Sequence, residues 1–363
     1  MPTPHPTSFL KPLTMALAMI APGISLAHVS AVDLFDDAVA RGLPQSVVLS
    51  APEGQLIVES ALDVEVRFPG SESGEVAGAM YLATWRGERA VLTRSGDHLD
   101  ISVPHAGQME VIGFSRNTEE SHHLSTGRDD KTEPTAMVPT NTVPQDPMPD
   151  VVPGRMRRAT PAPTLVFWLF LHDDTLDVTR QHIHASYVAW WIADMKRLLP
   201  TRQLWAIYSQ QVEGMTDMPY GQESSLIDWT TAVDKYSKRE GLPHVRGRFE
   251  YKFMLVTRHE VAPRTAGLAW LVGDEAMASL TGRYSIIAHE YGHTMTATHD
   301  DAEIRWSSGW PCETNLASPA SELRANCYRY SAANERRMRR YAANEWTVPV
   351  RLHPPEIPRR MVD

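Results

Sequence analysis

The chain has 363 residues, 42% of them hydrophobic and 22% charged. That length accommodates two domains, and the composition excludes a disordered or collagen-like chain. The formal charge of −9 falls almost wholly on residues 1–158, with 12 Lys and Arg against 20 Asp and Glu; residues 159–363 hold 23 against 24, so neither part has the basic excess of a nucleic-acid-binding surface.

At the N-terminus Lys11 precedes the apolar run "LTMALAMIAPGISLA", and small residues at Ser25 and Ala27 suit a cleavage before His28. Residues 1–27 therefore read as an export signal, with a buried N-terminal helix as the alternative. Pro22 and Gly23 interrupt the run, and no later stretch of about 18 apolar residues occurs, so a secreted, soluble mature protein without stable membrane insertion is expected. From about residue 45 to 115, short runs such as "QLIVES", "DVEVRF" and "MEVIGFS" alternate with Gly, Ser and Asp clusters, the pattern of a small mostly-β unit, here bounded as 28–128. Residues 129–158 are rich in Pro and Thr without periodicity and read as an extended linker. It ends in Arg155, Arg157 and Arg158, which is either a solvated charge run or an accessible processing site. Its position directly before a compact pattern favours processing, with a mature N-terminus near Ala159 and the preceding unit as a pro-domain.

Residues 159–363 begin with "TLVFWLFL", a continuous apolar run that suits a strand covered on both faces. After "HDDTLD", where Asp173 and Asp174 read as a turn and helix start, Ile183, Tyr187, Trp191, Met195 and Leu198 mark an amphipathic helix stopped by Pro200. The strand "QLWAIYS" follows, then a helix around "SLIDWTTAVDKYSKRE" closed by Gly241 and Pro243, then the strands "FEYKFMLVT" and "AGLAWLVG". This alternation predicts an α/β fold with a twisted, mostly parallel sheet backed by helices.

The segment "YSIIAHEYGHTMTATHD" carries the chemistry. On a helix His289 and His293, four apart, stand on one face and can share a tetrahedral ion. Glu290 lies about 100° around from His289, placed to act as general base on water activated by the metal rather than as a ligand. His299, six residues after His293 and beyond the helix, supplies a third nitrogen and leaves one position open, the pattern of a single catalytic zinc. Two other close pairs do not make joint sites: His182 and His184 fall on different helix faces, and His122 and His123 lie in the acidic N-terminal part.

The segment resembles the long zinc-binding consensus of the metzincin metallopeptidases, and Asp300 directly after the third His is most similar to the reprolysin (adamalysin-like) branch. The resemblance is specific in about a dozen residues and implies a metzincin-like catalytic domain over 159–363, with zinc held by His289, His293 and His299, Glu290 as base, and protein or peptide substrates. It also implies that the strand preceding the active-site helix, here "AGLAWLVG", lies at the sheet edge and pairs with extended substrate. Two positions depart from the consensus. Thr296 stands where Gly or Asn usually turns the chain, so either the turn is built differently or a β-branched residue accepts positive φ. In "CETNLASP", Leu316 stands where a Met-containing turn is expected beneath the metal; Met338 is the other candidate, in a stretch that looks helical. Tyr328 and Tyr330 either polarise substrate or pack beside Cys327.

The two cysteines, Cys312 and Cys327, are expected to form one disulfide in an exported chain, or otherwise to be two buried thiols. No cysteine precedes Cys312, so latency cannot use a pro-segment thiolate on the metal. The function expected is a secreted zinc endopeptidase made as a latent precursor. The alternatives are a secreted binding protein with an inactive metzincin fold and a zinc hydrolase of non-peptide acyl bonds.

Overall fold

The computed structural model describes residues 29–49, 55–71, 74–105, 108–116, 118–126, 136–138, 164–242, 244, 249–307, 310–318 and 324–343. The expected export signal and most of the linker, including Arg155 to Arg158, lie outside them.

The N-terminal unit opens with a helix that the sequence reading did not anticipate, α1 (Ala31–Ala40), whose N-cap Ser30 accepts a hydrogen bond from the Asp33 amide. Its Val32, Phe35 and Ala38 are buried in a core shared with Leu56, Trp85 and Ile112. The strands expected there follow as β1 (Gln45–Val48), β2 (Gln55–Ser71), β3 (Gly74–Trp85), β4 (Glu88–Ser95), β5 (His98–His105), β6 (Gln108–Ser115) and β7 (Thr118–Thr126). From β2 onward each pairs antiparallel with the next, and β1 pairs with β2. Within the predicted linker a short strand forms, β8 (Ala136–Val138).

The second unit begins with β9 (Thr164–Leu171), buried on both faces as its unbroken apolar run requires. A 3-10 turn over Asp173–Thr175 leads into α2 (Arg180–Ile183), a π-helical stretch His184–Val188 and α3 (Ala189–Leu198), which ends before Pro200. Next come β10 (Gln203–Gln210), α4 (Ser225–Arg239), β11 (Tyr251–Thr257), β12 (Gly267–Trp270), β13 (Glu275–Ser279) and α5 (Ile286–Thr294). The chain finishes with β14 (Ile304–Ser307), β15 (Trp310–Glu313), β16 (Ala325–Asn326) and α6 (Ala332–Ala342).

The fold is α/β, with β10, β9, β11 and β13 side by side and parallel. β12 is antiparallel to β13, and β8 lies parallel along its outer side over Leu268↔Ala136 to Trp270↔Val138. At the opposite end β2 pairs parallel with β10, so the two units share one sheet running β7-β6-β5-β4-β3-β2-β10-β9-β11-β13-β12-β8. The sequence pattern did not anticipate that junction. β13 was also missed, because "EAMAS" offers small residues where an apolar run is the signal. Among the described residues no helix is long and apolar enough to cross a membrane.

Candidate metal centre

Every residue of α5, from Ile286 to Thr294, is buried. The helix ends in a two-bond cap of Schellman type: the Ala297 amide donates to Gly292 O (2.9 Å) and the Thr296 amide to His293 O (3.1 Å). In that cap Thr296 occupies the left-handed position with φ of +77°. The turn is therefore built as a Gly or Asn would build it, with a β-branched residue accepting the strain. Its side chain is 1% exposed, and its hydroxyl has no hydrogen-bond partner among the described residues.

The cap reverses the chain and brings His299, on a 3-10 turn over His299–Asp301, back over the helix. His299 Nε2 lies 2.9 Å from His289 Nε2 and 3.1 Å from His293 Nε2. The other ring nitrogens face backbone carbonyls, His289 Nδ1 at 2.9 Å from Asn315 O and His293 Nδ1 at 2.9 Å from Ala297 O. A carbonyl only accepts, so each Nδ1 carries the proton and each Nε2 presents a lone pair. Two lone pairs thus converge on a third imidazole nitrogen, an arrangement that a cation satisfies and that neutral rings alone do not. Three nitrogens about 2.0–2.1 Å from a tetrahedral zinc sit about 3.3 Å apart, a few tenths of an ångström from the spacing seen. The donor set fits zinc, and the carbonyl partners are the outer hydrogen bonds that orient ligating imidazoles.

Burial acts in the same direction. It holds His289 well below the usual imidazole range, reinforced by the neighbouring imidazoles, and brings His293 down to about 4. His299 is lowered as well, again chiefly by burial. All three are thereby held in the neutral form that binds metal.

Glu290 is fully buried, and neither carboxylate oxygen has a hydrogen-bond partner among the described residues. Burial pushes its carboxyl well above the ordinary range. It stands against Gly267, the first residue of β12: a Cβ built there would lie 2.7 Å from Glu290 Cδ and closer still to Oε1. The absence of a side chain at 267 is what makes room for the carboxylate. That dependence connects two segments distant in sequence, and no local motif marks it.

Beneath the helix, Leu316 is buried and a Cβ on Gly292 would meet its Cδ2 at 3.0 Å, so the residue in the Met position floors the site and its neighbour Asn315 orients His289. Met338 is buried in α6. The Tyr330 hydroxyl donates to Ala288 O and accepts from Trp191 Nε1 (2.8 Å). Tyr328 donates to Gln108 O (2.9 Å) and packs on Trp190 and Tyr284. Tyr330 thus braces the active-site helix, and Tyr328 ties its segment to β6 of the N-terminal unit. Asp300 is exposed, and it is Asp301 that pairs, with Arg337. The disulfide joins Cys312 to Cys327 with a Cα–Cα distance of 5.1 Å, tying β15 to the strand that leads to Tyr328. Asp173 and Asp174 lie in the 3-10 turn, where Asp174 accepts from Tyr220 and from the Arg258 amide. A second convergence, His244, Asp274 and Glu275, already contains a cation: Lys252 Nζ lies 2.7 Å from Asp274 Oδ1, buried with it.

No protein-family model matches the sequence, and no curated protein matches it. Among solved structures the chain is similar to the crystal structure of metalloproteinase-II from Bacteroides fragilis, with a TM-score of 0.56 at 13% identity, over 85% of this chain and 95% of that one. The fold is that of a metalloproteinase. The share of this chain covered exceeds what residues 159–363 could supply, so the metalloproteinase likeness extends into the N-terminal unit.

Proposed function

We propose that the protein is a zinc-dependent endopeptidase of metzincin type, with Asp300 pointing to the reprolysin-like branch, exported and made as a latent precursor. The observation that carries the proposal is the convergence of the His289, His293 and His299 Nε2 atoms, with the first two tautomers set by Asn315 and Ala297 carbonyls. Bound there, one zinc ion would polarise a scissile carbonyl and acidify water. The charge of that ion would oppose the effect of burial and favour the ionised form of Glu290, whose carboxylate, free of competing hydrogen bonds among the described residues, would accept the proton of the attacking water and return it to the leaving amine. Once β8 has left it, β12 presents its outer backbone edge to an extended peptide, and substrate side chains alternate above it.

Latency is supported by the pairing of β8 with β12, which sets the linker on the edge that a substrate needs. Export is supported by the apolar N-terminal segment and by the disulfide. Casein hydrolysis by purified mature protein, with and without chelator, tests the activity; Glu290→Gln should retain zinc and lose at least about 10²-fold in rate. Chelator-insensitive hydrolysis, or near-normal turnover in Glu290→Gln, would contradict the assignment. N-terminal sequencing of the active species checks the processing: a start near Ala159 on the active-site chain is expected, and an active, uncut chain starting near His28 would remove the latency reading.

A further inference from the structure

The proposed cut in the linker does not free what the linker connects. β2 is sandwiched between β3 of its own unit and β10 of the other, paired in parallel with β10 from Val64↔Leu204 to Arg67↔Ile207. Side chains continue the junction on both faces. Val66 and Phe68 share one buried core with Trp190 and Tyr208, and Phe68 stacks on Tyr208 at 5.1 Å. On the other face the Arg67 guanidinium lies 4.1 Å over the Trp205 ring. Departure of the N-terminal unit would bare a central strand edge and a broad apolar face, two features that folded proteins keep covered.

The buried polar groups at this junction are matched across it. His184, in the π-helical stretch, is fully buried and hydrogen-bonds Thr93 Oγ1 at 2.9 Å as well as the Tyr208 hydroxyl at 2.6 Å. Ser102 Oγ donates to Ala185 O at 2.7 Å. Pulling the units apart strands these groups or requires water to re-enter an apolar seam. The junction also reaches the active-site helix through one intervening layer: α3 packs against β2, β4 and β5 on one side, and on the other Trp191 stacks on Tyr291 of α5 at 5.1 Å with an interplanar angle of 4°.

We infer that after linker cleavage the N-terminal unit remains bound as a second, non-covalent chain that backs the active-site helix, and that cleavage clears only β8 from the edge of β12. The inference rests on the proposed processing of the linker, and its test separates the two by installing the cut. A specific-protease site inserted after Pro147 in full-length Glu290→Gln protein gives cleavage with no contribution from its own peptidase activity. Both fragments are expected to elute together from a sizing column at the mass of the intact chain at micromolar concentration and to separate only in denaturant. Two separate folded species, or a soluble N-terminal fragment beside an aggregated partner, would overturn the inference. Thr93→Val with Ser102→Ala, introduced in the same protein, should raise the dissociation constant of the cut pair by about ten-fold or more while the uncut chain still folds. An unchanged dissociation constant would overturn the assignment of the interface. Neither outcome depends on zinc content or hydrolysis, so failure here leaves the peptidase reading standing on its own tests.

Discussion

Thr296 is the position where fold and local chemistry conflict most openly, and Thr296→Gly resolves the conflict. A β-branched residue at φ +77° costs about 1–2 kcal/mol in backbone strain. Its buried, unpartnered hydroxyl costs about 1 kcal/mol more. Against this, glycine loses about 0.7 kcal/mol through the greater entropy of its unfolded chain. The removed side chain forfeits about 1 kcal/mol of packing at a position that is only 1% exposed. The balance is a stabilisation of about 1 kcal/mol, or roughly 2 °C in Tm. Equilibrium urea unfolding is the assay, with Thr296→Val as the companion: valine keeps the backbone strain and the packing and removes only the hydroxyl, so it should recover about the 1 kcal/mol assigned to that group. Destabilisation by 1 kcal/mol or more in Thr296→Gly, with the cap hydrogen bonds intact, would refute the reasoning. It would mean that the threonine side chain holds the turn in place.

Other consequences are equally direct. Gly267→Ala should displace the Glu290 carboxylate and lower hydrolysis by about 10–100-fold with zinc content unchanged, and full activity would show that Glu290 does not need that space. Asp100 has a buried oxygen without a partner, and burial raises its carboxyl to about 7, so its folded-state pKa lies above the unfolded value near 3.9. The folded state therefore prefers the protonated form and loses stability as pH rises from about 4 to 7; Asp100→Asn should gain nothing at pH 4, with a gain that grows with pH and levels off at about 4 kcal/mol above pH 7. A gain independent of pH in urea unfolding would contradict this.

The site was legible wherever chemistry depends on spacing along one helix. His289, Glu290 and His293 are set by helical geometry, and His299 by a turn whose strain at Thr296 could be foreseen. The alternation of β9, α3, β10, α4 and β11 was equally open, because each element is long and strongly patterned. What escaped was non-local or chemically faint. The pairing of β2 with β10 joins strands far apart in sequence through backbone groups that every residue has, so no residue type announces it. The closeness of Gly267 to Glu290 is a packing relation between two elements. β13 is too rich in alanine to stand out. α1, by contrast, had a signal, with Ser30 as cap and Val32, Phe35 and Ala38 on one face, but it follows directly on a segment that reads as an export signal.

The proposed zinc ion is held by three imidazoles, from a helix and the turn after it. Metal analysis and zinc-edge X-ray absorption on His299→Ala beside the unaltered protein test that ligand set most directly. One zinc per chain with three imidazole nitrogens at about 2.0–2.1 Å is predicted for the unaltered protein, and loss of the tightly bound ion for the variant. Full zinc in His299→Ala with an unchanged coordination shell would contradict the account.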